Sequence, residues 1–395
     1  MTVGIDEISF FTPNLYLDLT DLAKARGVDP NKFTIGIGQE KQSVVPPSQD
    51  SVTMAASAGS MLLTGKSTDY INSISEILFA SESGIDNSKS GAVYLQTMLH
   101  LAKNVRTIEL KQACYAGTFA LMTAFDYVSL HPNERVLVVA TDVARYGLKS
   151  AGEVTQGAGA VAMIVSSDPK LAGYNHDSVF QSQDLMDFWR PLDETDAIVS
   201  GKFSQEAYET FFANAWQDYI RQTGRRIADF KAFVFHLPFT KMGKKALDQI
   251  IDQTDGQQQQ NLERNRLAGQ IYGRQVGNIY TGSLYLSLIS LLDHGDVQAG
   301  DLIAMFSYGS GAEGELYSLT LMENYQQAIK SHVQKDLNAR QRLSVPEYEK
   351  LFKLFPKSSD DQSLMNEYDK SLFQLAEIKN HQRIYKAAVS KLLIK

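Results

Sequence analysis

The stretch Glu109-Leu110-Lys111-Gln112-Ala113-Cys114-Tyr115-Ala116-Gly117 joins a short strand, Thr107–Leu110, to an apolar helix from about Tyr115 to Ser129, and it carries the only cysteine of the 395-residue chain. A thiol at a strand-to-helix junction faces the positive end of the helix dipole, which favours thiolate and hence nucleophilic chemistry. Ala113, Ala116 and Gly117 are small and leave room beside the sulfur. A buried core cysteine is the other reading of the same residue.

Working outward, the same alternation recurs on both sides. Val3–Phe11 reads as a strand, Gln49–Leu63 as a helix, Glu76–Ala80 as a short buried strand and Ala92–Leu101 as a helix. After the cysteine helix, Pro132 and Asn133 mark a turn; Arg135–Ala140 and Ala158–Val165 are nearly continuous apolar runs. Such runs fit strands covered on both faces. The second half offers a helix at Phe203–Thr223, a strand at Phe230–His236, a helix at Gly282–Leu292 and a strand at Leu302–Ser307. Two Gly-x-Gly-Ala segments, Gly157–Ala160 and Gly309–Ala312, lie beside a strand late in each half and suggest an internal duplication. The fold class expected is α/β, in two similar halves of layered sheets and helices, residues 1–168 and 169–395. Asp252–Asn261 is Gln-rich and reads as a solvated loop or helix extension; beyond about Glu323 surface helices are expected, broken at Pro346 and Pro356.

Composition excludes several classes. The net charge is −7, from 38 basic and 45 acidic residues, so no basic footprint for nucleic acid is present. No apolar stretch approaches the length of about 20 residues that a membrane span needs. The N-terminal MTVGIDEISF has no secretory pattern, and a single cysteine makes no internal disulfide, so the cytoplasm is the expected compartment. No metal-ligand spacing or Walker loop occurs. Gly309–Gly314 spells Gly-x-Gly-x-x-Gly, but the residues after it alternate like a strand, where a dinucleotide site needs a helix.

Three further positions stand out beside Cys114. His236 ends the apolar strand FVFH, where its imidazole either fills the core or projects into a pocket. Glu82 lies just past the strand EILFA; strand C-terminal ends gather ligands in open α/β sheets, although a loop glutamate is ordinarily solvated. Asn278 follows Gly277, a turn signal whose amide can equally hold a carbonyl. Backbone N–H groups of the Gly309–Ala312 turn can face an oxyanion or simply make a tight connection. Lys241, Lys244 and Lys245 form either a phosphate site or a solvated helix face.

Taken together, and in this order, these segments resemble the 3-hydroxy-3-methylglutaryl-CoA synthase family over nearly the whole chain. The matching stretches are Val28–Gln39 (VDPNKFTIGIGQ), Ala80–Asp86 (ASESGID), Lys111–Thr118 (KQACYAGT), Asp187–Pro191 (DFWRP), Gly201–Ser204 (GKFS), Phe235–Leu247 (FHLPFTKMGKKAL), Gly277–Ser283 (GNIYTGS) and Phe306–Glu315 (FSYGSGAEGE). The compact length is similar to the bacterial branch. The resemblance implies a thiolase fold, a homodimer, and a reaction joining acetyl-CoA to acetoacetyl-CoA in the mevalonate route to isoprenoids, with no cofactor beyond the CoA thioesters. It places catalysis on Glu82, Cys114 and His236, and substrate contacts on Asp29, Tyr146, Thr155, Ser204, Lys241, Lys245, Asn278 and Ser310. Ala151 stands where many relatives carry asparagine, which removes one expected substrate hydrogen bond. Two competing readings are a β-ketoacyl-acyl carrier protein synthase, which shares a Cys–His–Asn set but needs no base such as Glu82, and a non-catalytic binding protein of the same fold.

Overall fold

The computed structural model describes residues 2–356, 361–364 and 368–387. Its main sheet runs, from one edge to the other, through Ala232–Phe235, Leu302–Gly309, Glu313–Leu321, Ala172–Tyr174, Gly4–Phe11, Gly157–Ser166, Arg135–Ala144, Ile74–Ala80 and Arg106–Leu110, with Val179–Ser182 added beside Glu313–Leu321. Gly4–Phe11, Gly157–Ser166 and Arg135–Ala144 pair antiparallel in that order, and Ile74–Ala80 joins Arg135–Ala144 in parallel. Ala172–Tyr174, Glu313–Leu321, Leu302–Gly309 and Ala232–Phe235 repeat this order and these senses on the other side of the sheet. The two leading strands meet antiparallel at the centre, Gly4 opposite Gly173 and Ile5 opposite Ala172. Gly157–Ala160 opens one strand and Gly309–Ala312 is the turn before the strand at the matching place.

The strand pleat sorts the apolar runs into layers. On Arg135–Ala144, Val136, Val138 and Ala140 face the central core, whereas Leu137, Val139 and Val143 face the helices Ser51–Leu63 and Gly91–Met98. On Leu302–Gly309, Ile303 and Met305 face the same central core, while Ala304, Phe306 and Tyr308 face the helix Gly201–Thr223. Both sheet halves therefore share one inner layer, filled by the helices Ala116–Leu130 and Ser283–His294. The result is five layers, helix–sheet–helix–sheet–helix.

The two inner helices begin close together. A Cβ on Gly117 would stand 2.5 Å from the carbonyl oxygen of Thr281, so only glycine allows that approach. No helix among the described residues is long and apolar enough to cross a membrane.

The region beyond Glu323 differs from expectation. It does hold the helices Val333–Asn338 and Val345–Lys353, the second started by a Ser344–Glu347 capping box with Pro346 in its first turn. It then forms an antiparallel hairpin, Phe373–Lys379 with Gln382–Ala387, in place of surface helices. Asn380 and His381 make its two-residue turn with φ of 50° and 62°, the backbone of a tight hairpin turn. The Gln-rich stretch is helical, Gly256–Gly269, capped by Asp255.

Phe212 is fully buried at the centre of the outer aromatic layer, with ring centroids of Phe306 and Phe235 at 5.0 and 5.2 Å. Phe212→Ala is expected to lower unfolding stability by about 3–5 kcal/mol, read as a shift in urea midpoint at constant slope. A loss under about 1 kcal/mol would contradict the layered packing.

Candidate active site

The duplication brings matching positions of the two halves to one place. Glu82 follows the strand Ile74–Ala80, and His236 follows its counterpart Ala232–Phe235. Cys114 precedes the inner helix Ala116–Leu130, and Asn278 precedes Ser283–His294. Tyr146 follows Arg135–Ala144 and Ser310 follows Leu302–Gly309.

Cys114 and Glu82 touch: the thiol donates to Glu82 Oε1 at 3.3 Å. Burial and the nearby Asp142 carboxylate push the Glu82 pKa up to about 8, against the pull of the Arg190 charge and the thiol hydrogen bond. Burial, then the Glu82 and Asp142 charges, raise the Cys114 thiol well above its usual value. This corrects the thiolate expected from the helix dipole. Two carboxylates in a poorly hydrated site outweigh the partial charge of a helix end. Cys114 is thus a thiol held against a base. Ala113, just before it, takes φ of +43°, which turns the chain between strand and helix.

Asp142 was not singled out by sequence. It is fully buried and accepts from Ser81 Oγ (3.0 Å), the Glu82 N–H (2.9 Å), the Thr281 N–H (3.0 Å) and Thr281 Oγ1 (2.5 Å). It fastens the Glu82 loop to the Asn278 loop. Asn278 is buried, and its Oδ1 accepts from the Tyr280 N–H and Ser283 Oγ, each at 2.8 Å, which commits the oxygen and leaves the NH₂ to donate. The Tyr146 hydroxyl lies toward that amide, and burial followed by the Cys114 charge raises its pKa. Tyr280, also missed, is fully buried at φ +44°, with its hydroxyl toward that of Tyr146. Backbone strain and a buried hydroxyl beside Glu82 and Tyr146 mark it as part of the site.

His236 is 2% exposed, with its backbone N–H on Phe306 O and its carbonyl taking the Tyr208 hydroxyl. No polar contact joins it to Cys114 or Glu82 among the described residues, and Nδ1 is without a partner. Burial lowers its pKa to about 3, so the imidazole is neutral at neutral pH.

Asp187, inside the DFWRP segment, is the third residue without an assigned role. It is fully buried and accepts from Ser204 Oγ (3.0 Å), the Tyr308 hydroxyl (3.0 Å) and the Gly311 N–H (2.9 Å). Ser204 is thereby tied to the Ser310 turn. Gly309 lets that turn approach the cysteine loop, since a Cβ there would meet Gln112 O and Tyr115 N at 2.6 Å.

Asp29, Lys241 and Lys245 lie apart from this group. Asp29 is exposed and accepts from the Asn31 N–H at 3.0 Å. The segment Lys32–Ile37 forms a π-helical turn gripped by Thr240, whose hydroxyl donates to Gly38 O at 2.6 Å, which sets Lys241 beside it. Lys241 and Lys245 form no ion pair among the described residues, whereas Lys244 is engaged with Asp248. Thr155 donates to Gly152 O, and Ala151 is exposed. A cavity of about 630 Å³ reaches Glu82, Ser83, Ala113 and Arg190 from one side; His236, Asn278 and Ser310 do not line it.

The site holds a thiol against a carboxylate of raised pKa, with a neutral imidazole and an amide donor at the matching positions of the other half, a set suited to acyl transfer and to proton abstraction next to a carbonyl. Comparison with known proteins gives the same answer. Residues 1–170 match the model for the N-terminal part of hydroxymethylglutaryl-coenzyme A synthase, and residues 261–386 match its C-terminal part. A hydroxymethylglutaryl-CoA synthase of Enterococcus faecalis is 45% identical, covering 98% of this chain and all of that protein. A polyketide-biosynthesis 3-hydroxy-3-methylglutaryl-ACP synthase of Bacillus subtilis is 31% identical over 89% of this chain and 88% of that protein. The crystal structure of an HMG-CoA synthase complexed with CoA superposes with a TM-score of 0.94 at 39% identity, over 98% of this chain and all of that one. With motifs, layers and site in agreement, the chain belongs to the hydroxymethylglutaryl-CoA synthase family.

Proposed function

We propose that this chain condenses acetyl-CoA with acetoacetyl-CoA and water to give 3-hydroxy-3-methylglutaryl-CoA and CoA, through an acetyl group carried on Cys114. The observation that carries the reading is the 3.3 Å contact between the only thiol and a carboxylate of raised pKa. The Cys114 proton passes to Glu82 as sulfur attacks the acetyl thioester, and CoA leaves as the thiol with a proton returned from Glu82. Glu82 then takes a proton from the acetyl methyl group, while the Cys114 and Ser310 N–H groups steady the enolate oxygen. The carbanion adds to the ketone of acetoacetyl-CoA. His236, neutral and bearing one N–H, polarises that oxygen and protonates it, and the proton that Glu82 took from the methyl group makes good the one His236 gives up. Water finally cleaves the thioester and frees Cys114.

Asp29, Tyr146, Thr155, Ser204, Lys241, Lys245, Asn278 and Ser310 are the proposed substrate contacts, with Lys241 and Lys245 toward the CoA phosphates. Neither a metal nor a redox group enters the scheme, because the thioester supplies the activation. The proposed halves are residues 1–168 and 169–395. A homodimer in the cytoplasm, on the mevalonate route to isoprenoids, is the assembly and setting we favour. The dimer is supported by the edge strand Arg106–Leu110, unpaired on its outer side among the described residues and carrying Ile108 at 51% exposure, and by Phe119 on the helix Ala116–Leu130 at 50%.

Glu82→Ala is expected to acetylate Cys114 far more slowly than the unmodified protein, as read by mass spectrometry, because the thiol loses its base, and to make almost no condensation product from the adduct that does form. Normal turnover by this variant would instead favour condensation driven by decarboxylation, and no adduct on the unmodified protein would leave only a binding role.

The pH dependence has a definite sign. Glu82 must be ionised to act as base, and its pKa is raised to about 8. Condensation on the preformed acetyl-enzyme is therefore expected to rise with pH around about 8, and Glu82→Gln is expected to lose both the rate and the rise. A profile already level above pH 6 would contradict the assignment.

A further inference from the structure

Behind Tyr146 lies a buried polar network that the reaction scheme does not use. The Gln156 Oε1 accepts the Tyr146 N–H at 2.9 Å, and its Nε2 donates to the Tyr348 hydroxyl at 2.8 Å. Tyr348 donates in turn to Glu153 Oε1 at 3.2 Å. Glu153 also takes Arg26 in a two-point pair, Nη2 at 2.7 Å and Nε at 2.8 Å, and the Lys149 N–H at 3.0 Å. Arg26 Nη1 reaches Glu349 at 2.7 Å. Gln156, Glu153 and Tyr348 are 4%, 3% and 2% exposed.

The network joins parts that are distant in sequence but adjacent at the site. Arg26 sits three residues before Asp29, and Tyr348 lies on the helix Val345–Lys353. Between Gln156 and Glu153 the carbonyl of Thr155 takes the Asn278 N–H at 3.0 Å. The loop folds back on Tyr146, so that a Cβ on Gly152 would stand 2.6 Å from its ring. The ring also meets Phe188 and Tyr280 edge-on, at 6.0 and 6.1 Å between centroids. Tyr146 is therefore fixed by its backbone through Gln156 and by its ring through these neighbours.

A buried polar cluster of this kind is a poor source of stability, because apolar residues of similar volume serve as well or better. What it supplies is a unique geometry when every member is satisfied. We propose that Gln156 is a positioning residue that sets Tyr146 against Asn278, with the Arg26–Glu153–Tyr348 cluster holding the Tyr146–Thr155 loop in place. This rests on the reading of Tyr146 and Asn278 as substrate-facing groups.

The test compares Gln156→Leu, Tyr348→Phe, Tyr146→Phe and the Gln156→Leu/Tyr146→Phe double variant with the unmodified enzyme. Two rates are read, acetylation of Cys114 by acetyl-CoA and overall condensation. Gln156→Leu is expected to lower kcat about 10- to 100-fold, with KM for acetyl-CoA changed far less, because misplacement acts on the reacting geometry. Tyr348→Phe, which loses one oxygen and keeps the packing, is expected to move kcat in the same direction by a smaller factor. In the Tyr146→Phe background Gln156→Leu is expected to add less than about threefold, since the hydroxyl it positions is already gone. Full multiplication of the two losses, or unchanged kcat with only a lower Tm, would overturn the positioning role. Should Gln156→Leu fail to fold, Tyr348→Phe carries the same comparison. An unmodified enzyme that acetylates Cys114 but makes no 3-hydroxy-3-methylglutaryl-CoA would sink the reaction while the acetylation rates still judge Gln156.

Discussion

The buried carboxylate of Asp142 is the constraint on which the site depends. Its hydrogen bonds to Ser81, Glu82 and Thr281 close the gap between the loop after one strand and the loop before an inner helix. Burial drives its own pKa upward, and the Thr281 and Glu82 donors work against that. Because it stays close to Glu82, its charge is part of what raises the Glu82 carboxyl and the Cys114 thiol. One residue thus ties the two loops together and helps raise the pKa of both Glu82 and Cys114.

The duplication explains why such a site exists at all. Two sheet halves built in the same order, packed on a shared helical layer, present matching strand ends and helix starts to one another. Chemical difference then comes from what each half places at the shared positions: a carboxylate opposite an imidazole, and a thiol opposite an amide. The inner helices meet closely at Gly117 and the Ser310 turn meets the cysteine loop at Gly309, which makes the seam between the halves narrow.

Much of this was legible along the chain. RVLVVA and FVFH announced covered strands, and the lone thiol at a strand-to-helix junction drew attention to Cys114, which the structure sets against Glu82. Other parts were hidden by distance in sequence. Asp142 lies 139 residues from Thr281, and nothing local predicts that pairing. A signal did exist, since a carboxylate inside the apolar run RVLVVATDVA has to find donors. Asp187 was visible as part of a motif, but its grip on Ser204, Tyr308 and Gly311 exists only once the halves have folded together. The thiol pKa was misjudged because the helix dipole is a local feature whereas Glu82 arrives from a strand end 32 residues away. The C-terminal hairpin was taken for helix because its turn is Asn380–His381, not the Asn-Gly pair that signals such turns.

The reaction proposed for this site makes a carbon–carbon bond between two CoA thioesters. The most direct measurement is the loss of acetoacetyl-CoA with and without acetyl-CoA, with the product identified by mass. Loss is expected only when acetyl-CoA is present, with 3-hydroxy-3-methylglutaryl-CoA as the product. Acetylation of Cys114 with no such product, or loss of acetoacetyl-CoA that ignores acetyl-CoA, would contradict it.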